Sequence, residues 1–313
     1  MSNSLKKKLV VIAGPTATGK SDAAVKLSGV IGGEVISADS IQVYRGMDIG
    51  SAKISRAEMK GIPHHLIDVM DPSEDYNVVR FKSMAEEAME GIYQRGHIPV
   101  ICGGTGFYIQ ALIYGIDFKD EPDDGSPDSF RKHLEDIYAE EGPEKIISML
   151  EKEDHASYDA IDHHNIKRVI RALTYMRVHG ESIQAHNERE ALKRLDPPYD
   201  LRFFVLYGER SGMYERINKR VDLMMASGLC NEVKKLLDSG LRKNSTAAQG
   251  IGYKEIIEAL ENNSDINEAA EKIKLNTRRF AKRQLTWFKR EKAAIWINID
   301  KGDPVNEIRK YLW

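Results

Sequence analysis

The chain has 313 residues, 42% hydrophobic and 30% charged, with a formal net charge of −2. This size and balance read as a soluble globular protein of one large domain or two modest ones, and they exclude a global electrostatic reason to bind nucleic acid, so any such surface must be a local patch. Two cysteines, Cys102 and Cys230, exclude a disulfide framework; no apolar stretch reaches membrane-spanning length and no secretory leader pattern is present, so the expected compartment is the cytoplasm.

In chain order, the apolar run Leu9–Ala13 predicts a strand and Gly19–Val30 a helix. Strands follow at Glu34–Ser37 and His65–Val69, a helix at Val79–Arg95, and a strand at Ile98–Cys102 that runs into Gly103-Gly104-Thr105-Gly106. Cys102, at the end of that run, reads as a small buried thiol. Near Asp117 the character changes: Asp117–Asp128 is acidic and rich in turn residues, which marks a linker. A polar, helical stretch follows and stops at Leu195-Asp196-Pro197-Pro198, because consecutive prolines end helices. Arg202–Tyr207 is strand-like again. Ser211–Glu261 is helical, Glu268–Arg290 reads as one long helix and Ala294–Ile299 as a last strand.

Strand–helix alternation at this spacing predicts an α/β fold: a P-loop core with a parallel sheet flanked by helices, plus a helical insertion domain. The expected division is residues 1–118 for the first part of the core, 119–197 for the insertion and 198–313 for the second part. No coiled-coil seam or exposed apolar stripe is evident, so a monomer is expected.

The segment Gly14-Pro15-Thr16-Ala17-Thr18-Gly19-Lys20-Ser21 fits G-x-x-x-x-G-K-[ST] in full, with a strand before it and a helix after it. The glycines let backbone N–H groups turn inward as an anion nest, and the helix start adds its positive dipole end. Lys20 supplies a cation for phosphate oxygens; Ser21 offers a hydroxyl to Mg²⁺. The pattern is one that ATP-binding proteins share, yet the strand Ile98–Cys102 ends in Gly103-Gly104-Thr105 where an ATP-hydrolysing site usually carries an acid. The only acid at a strand end is Asp39. It either assists the metal, faces an acceptor as a base, or caps the next helix.

Five blocks occur in a fixed order: "GPTATGKS", "ISADSIQVYRGMDIGSAK" (Ile36–Lys53), "PHHLID" (Pro63–Asp68), "GGTGFYIQAL" (Gly103–Leu112) and "AKRQLTWFKR" (Ala281–Arg290). Together they resemble the tRNA dimethylallyltransferase (tRNA isopentenyltransferase) family over nearly the whole chain. The resemblance implies transfer of a dimethylallyl group from dimethylallyl diphosphate to N6 of the adenosine 3′ of the anticodon, with Mg²⁺, and so makes the loop the holder of a departing diphosphate. It implies Asp39 as general base and places Thr105 beside either the reacting amine or the diphosphate. It implies that Asp39, Ser40, Ile41 and Gln42 face the substrate bases, where the Gln42 amide suits an adenine edge. It also implies a phosphate-clamping arginine near "YGERSGMYERINKR", and Arg220 is preferred to Arg216. His163, His164, Asn165, Ile166 and Lys167 match a tRNA-contact block, as do Gln249, Gly250 and Gly252.

Between Lys272 and Lys292 there are nine Lys or Arg and one acid, Glu291. On a helix Ile273, Phe280 and Trp287 share one face, with Arg278, Lys282 and Lys289 opposite and Arg279, Arg283 and Arg290 beside them. One side is expected to dock on the core; the other offers phosphate contacts that give salt-dependent affinity for the tRNA anticodon stem-loop. Rival readings are a P-loop small-molecule or nucleotide kinase with a helical lid, a transferase that prenylates free adenine nucleotides, and a nucleotide-gated RNA-binding switch. The kinase gives no reason for the basic helix. The free-nucleotide enzyme needs no long RNA-facing surface, and the switch leaves Asp39 and Thr105 without a task.

Overall fold

Short apolar runs buried on both faces become the strands of a parallel sheet. The computed structural model describes residues 6–116, 118 and 126–313, with the backbone alone for 126–128. In chain order, β1 (Lys8–Ala13) is followed by α1 (Lys20–Ile31), β2 (Gly33–Ala38), β3 (His64–His65), α2 (Val78–Gln94), β4 (Ile98–Gly103) and α3 (Gly106–Ile113). Helices α4 (Ser126–Glu141), α5 (Pro143–Glu153), α6 (His155–Ala160), α7 (Ile166–His179) and α8 (Ile183–Lys193) come next. The chain returns with β5 (Asp200–Tyr207), α9 (Arg210–Ala226), α10 (Leu229–Asp238), α11 (Tyr253–Glu261), α12 (Ile266–Phe288), β6 (Ala294–Asn298), a 3-10 turn (Ile299–Lys301) and α13 (Pro304–Arg309). These residues fall into two compact units, Met1–Ile113 with Pro198–Trp313, and Tyr114–Pro197.

The first unit holds one sheet in the order β3-β2-β4-β1-β5-β6, with every strand pairing parallel. This is the α/β core with helix-flanked parallel strands that the alternation predicts. Side chains alternate across each strand. Val10 and Ile12 of β1 pack with Ala23, Ala24 and Leu27 of α1, whereas Leu9 and Val11, equally buried, point to the opposite face. On β5, Phe203 meets Phe288 of α12 with ring centroids 6.4 Å apart. Helix α1 stops where Gly32 takes φ 65 and its N–H returns to the Ser28 carbonyl.

The connection leaving β1 goes to β2 on one side, and the connection leaving β4 goes to β5 on the other. These two strands are neighbours, paired from Val10↔Val100 to Ala13↔Gly103. Their carboxyl ends therefore flank a topological switch point, the place where open α/β sheets bind ligands.

Three expectations need correction. The strand at His65–Val69 reduces to His64–His65, because Leu66 (φ 61) and Asp68 (φ 56) leave the extended region. The helical stretch Ser211–Glu261 is three helices, divided at Gly228 (φ 96) and again between Asp238 and Tyr253. Of the linker expected over Asp117–Asp128, residues 117 and 119–125 lie outside the described residues, and 126–128 already belong to α4.

The second unit is helical and has its own core, which includes Leu134, Ile146, Leu150, Val169 and Leu173. Asn165 caps α7 by accepting from the Arg168 N–H, and Gly180 (φ 65) ends it.

Candidate active site

The turn after β1 needs its glycines. A Cβ on Gly14 would lie 2.5 Å from the Leu206 carbonyl oxygen, and its φ is 146. Ala17 (φ 65) and Gly19 (φ 77) add two left-handed residues, which turns successive N–H groups to one side. No side chain caps the start of α1, so its first amides remain available to an anion. Inside the loop, the Pro15 carbonyl accepts from Lys20 Nζ at 2.7 Å and from the Thr18 hydroxyl at 2.8 Å. Burial pushes the Lys20 pKa down to about 8; Arg220 pushes the same way, while Cys102 and Asp39 oppose it.

Two arginines of α9 reach this loop one turn apart. Arg220 donates through Nη1 to the Thr16 hydroxyl at 3.0 Å, and burial works against its charge while Asp39 supports it. Arg216 donates through Nε to the Ala17 carbonyl at 3.3 Å and lies 3.6 Å from Asp300. Of the two, Arg220 lines the cavity beside the loop.

That cavity, about 480 Å³, opens at the switch point. Thr16, Lys20 and Ser21 line it from the phosphate loop, Asp39 to Gln42 from the tip of β2, and Thr105 from the tip of β4. Gln249, Gly250 and Arg283 complete the set of expected residues that it gathers. Cys102 also lines it, with burial pushing its thiol up to about 11, so this sulfur stays protonated and is no nucleophile.

Asp39 follows β2 directly. Its Oδ1 accepts from the N–H groups of Ile41 at 2.9 Å and Gln42 at 3.2 Å. This is the turn-capping role open to an acid at a strand end. It occupies one carboxylate oxygen only; Oδ2 accepts no hydrogen bond from a described residue. Gln42 is oriented in turn: Nε2 donates to the carbonyls of Ser51 at 3.3 Å and Ala52 at 3.4 Å, which leaves Oε1, an acceptor, for the cavity. Thr105 donates its N–H to the Ala38 carbonyl at 3.3 Å, so the tips of β2 and β4 are tied together.

Several residues that build this site carry no sequence signal of their own. Glu232 of α10 accepts from the amides of Asp48, Ile49 and Gly50 at 2.8–3.0 Å and from the Tyr253 hydroxyl at 2.7 Å, which anchors the loop behind Gln42. Glu255 accepts from the Gly252 N–H at 2.8 Å and from Asn276 of α12 at 2.7 Å, holding the turn that carries Gly250. Gly252 itself does not line the cavity. Gln284 is buried between the phosphate loop and the tip of β4. An inward glutamine could be suspected only from its place in line with Ile273, Ala281 and Phe288, all buried on α12.

The basic helix α12 differs in part from its expected layout. Arg279, Lys282 and Arg283 are exposed, and Arg283 reaches the cavity. Arg278 is half-buried instead of standing on an outward stripe: its Nη1 donates to Asn218 at 2.6 Å and its guanidinium lies over the Tyr214 ring. Ile273 is buried, Phe280 borders the cavity, and Trp287 packs on Phe107, where a Cβ on Gly106 would fall 2.1 Å from the indole. His163, His164, Asn165, Ile166 and Lys167 lie together in the second unit at the start of α7. The His163 ring rests on Tyr158 and bonds its carbonyl at 2.8 Å, and Lys167 is exposed.

Comparison with known proteins gives concordant matches. The model of the IPP transferase family matches residues 42–291, and that of the isopentenyl transferase family residues 7–71. A tRNA dimethylallyltransferase of Lachnoclostridium phytofermentans is 47% identical over 290 residues, 93% of this chain and 91% of the relative. The solved tRNA isopentenylpyrophosphate transferase of Bacillus halodurans superposes with a TM-score of 0.72 at 41% identity, covering 97% of this chain and 94% of that one. A eukaryotic dimethylallyltransferase acting on tRNA superposes with a TM-score of 0.78 at 30% identity, over 94% of this chain and 74% of that one.

Proposed function

This chain belongs to the IPP transferase family, and we propose that it transfers the dimethylallyl group of dimethylallyl diphosphate to N6 of the adenosine 3′ of the anticodon in tRNA, releasing diphosphate. We propose further that it does so as a monomer in the cytoplasm; no helix among the described residues is long and apolar enough to cross a membrane. One observation carries the reading: a carboxylate with one oxygen tied into a turn and the other open shares a cavity with a phosphate loop, its lysine and a buried arginine.

In the reaction the bond between the allylic carbon C1 and the diphosphate oxygen breaks, and its electron pair leaves with the diphosphate. The loop amides, Lys20 and Arg220 stabilise that charge as it builds, which lowers the barrier. The adenine N6 lone pair forms the new bond to C1. This amine is a weak nucleophile because its lone pair is delocalised into the ring, so it needs a proton acceptor as the bond forms. Asp39 Oδ2 takes the N6 proton, help worth about 10²–10⁴-fold. Thr105 faces the same space and orients either the amine or the diphosphate.

Mg²⁺ fits the donors present. The Ser21 hydroxyl lines the cavity beside Lys20, and a hard cation that keeps several waters and binds phosphate oxygens needs no protein cage. Among the described residues no group of three His, Cys, Asp or Glu offers one. When bound, the ion would neutralise the departing diphosphate.

The acceptor adenine lies in a single-stranded loop, so leaving its stack costs about a few kcal/mol. Gln42 Oε1 is an acceptor for a donor on a base edge, and Arg279, Lys282 and Arg283 supply phosphate contacts. By family membership Gln249–Gly252 extend that surface, and His163–Lys167 of the second unit are a separate tRNA contact.

The test is to incubate the protein with labelled dimethylallyl diphosphate, Mg²⁺ and tRNA, free AMP or ATP. Label in tRNA is the expected result. Label confined to AMP, or phosphate transfer from ATP without prenylation, would overturn the assignment.

A further inference from the structure

Gln284 lines the cavity as well, and it is a polar residue that the proposed chemistry leaves unused. It sits on the inward face of α12, 6% exposed, in line with Ile273, Ala281 and Phe288. Packing alone does not call for a carboxamide there. A leucine would fill similar space without the cost of burying polar atoms, so the polar head must be repaid by hydrogen bonds.

Both ends of the carboxamide are engaged. Oε1 accepts from the Thr16 N–H at 3.0 Å, and Nε2 donates to the Gly104 carbonyl at 3.0 Å. Thr16 lies in the phosphate loop after β1, and Gly104 directly precedes Thr105 after β4. Since Ala13 pairs with Gly103, the two loops leave the sheet side by side, and Gln284 spans the gap between them. Gly104 is a glycine for this reason: a Cβ there would lie 2.1 Å from Nε2. Thr16 also receives Arg220 on its hydroxyl at 3.0 Å, so its backbone is held by Gln284 while its side chain holds the arginine.

We propose that Gln284 is a positioning residue: through Thr16 and Gly104 it sets the phosphate loop, Arg220 and Thr105 at fixed distances from one another. The inference deepens the transferase reading and rests on it for the identity of the diphosphate ligand. Binding of a diphosphate would then depend on a helix whose other side carries Arg279 and Lys282. Loss of the bridge would loosen the diphosphate site and leave RNA affinity alone.

The experiment uses the full chain with Gln284→Leu and Gln284→Glu. Calorimetry measures the affinity of inorganic diphosphate with Mg²⁺, and steady-state kinetics measures KM for dimethylallyl diphosphate on tRNA. Gln284→Leu is expected to weaken diphosphate binding about tenfold, the scale of one or two lost hydrogen bonds. KM for dimethylallyl diphosphate should rise with it, and the Kd for tRNA should stay within about twofold of wild type, because exposed phosphate contacts are untouched. Gln284→Glu separates position from mere stability. As a carboxylate it still accepts from Thr16 but cannot donate to Gly104; protonated, it does both. Its deficit relative to wild type should therefore shrink as pH falls toward the pKa of the new carboxyl, which burial raises and the Lys20 and Arg220 cations in the same cavity lower. If the leucine variant does not fold, the diphosphate affinity of Gln284→Glu, which loses the donor to Gly104, decides alone. Wild-type diphosphate affinity in Gln284→Leu, or in Gln284→Glu at pH 8.5, overturns the proposal. A wild-type protein that binds diphosphate but labels no tRNA would instead remove the transferase reading and leave Gln284 to be judged by its affinity data.

Discussion

Strand β2 has an acid at each end, and the two are treated in opposite ways. Glu34, near its start, is 1% exposed and saturated: Oε1 accepts from Arg95 Nε and His97, and Oε2 from Arg95 Nη2 and His65, all at 2.7–2.8 Å. The hydrogen bonds from Arg95 are the main cause holding its pKa down at about 2, against a burial that pushes the other way. Asp39, just past the far end, is tied by one oxygen only and shares its cavity with Lys20 and Arg220. A saturated carboxylate fixes structure because nothing about it is left to change. A half-tied one keeps its position and retains an oxygen for a proton in transit.

The strongest way to break this contrast is Asp39→Asn. The amide keeps the turn but cannot take the N6 proton, so turnover should fall about 10²–10⁴-fold while tRNA binding is retained. Single-turnover prenylation alongside a filter-binding Kd checks it, and unchanged turnover would make Asp39 as structural as Glu34. A smaller effect is expected at Lys20. Its lowered pKa means the ammonium is intact below about 8 and lost above it, so diphosphate affinity should weaken as pH rises from 7 to 9. Calorimetry should show that break in wild type and its absence in Lys20→Met.

Glu34→Gln should do the reverse of Asp39→Asn: activity at low temperature unchanged, stability lower by about 1–3 kcal/mol. The sign follows from the depressed pKa. The carboxylate's contribution is complete above about 4.5, the ordinary value, and fades as pH falls toward 2. The urea stabilities of the two proteins should therefore draw together steadily as pH falls from 4.5 toward 2. The mildest change is Arg279→Ala with Lys282→Ala, which should lower tRNA affinity modestly and reduce the slope of log Kd against log salt by about one to two.

How far the sequence could be read follows the same division between local and distant causes. The strands beside β1 were legible because apolar runs and the phosphate-loop glycines announce themselves locally. β3 is shorter than its apolar run suggests: "HLIDV" is apolar enough for a strand, but the positive φ at Leu66 and Asp68 goes with Val69 donating its N–H to the Val43 carbonyl and Arg45 donating to the Met70 and Asp68 carbonyls, contacts made across more than twenty residues. Arg278 looked like one more outward charge because Asn218 and Tyr214, its partners, lie on another helix. Glu232 and Gln284 were invisible for that reason as well. A polar residue on a helix is read as a solvated one, and only the fold shows which amides lie opposite it.

The glycines at 104 and 106 carry a consequence for anyone seeking to harden this protein. Replacing glycine by alanine normally stiffens the unfolded chain and adds up to about 1 kcal/mol where the backbone permits it. Gly29, inside α1, has ordinary backbone and nothing nearer than 3.9 Å to an added methyl, so it should accept the change with profit. At 104 and 106 that same methyl would drive into Gln284 and Trp287, wedging the long helix off its seat. Thermostability in this molecule is to be sought far from the switch point, where bare backbone serves as the bearing surface.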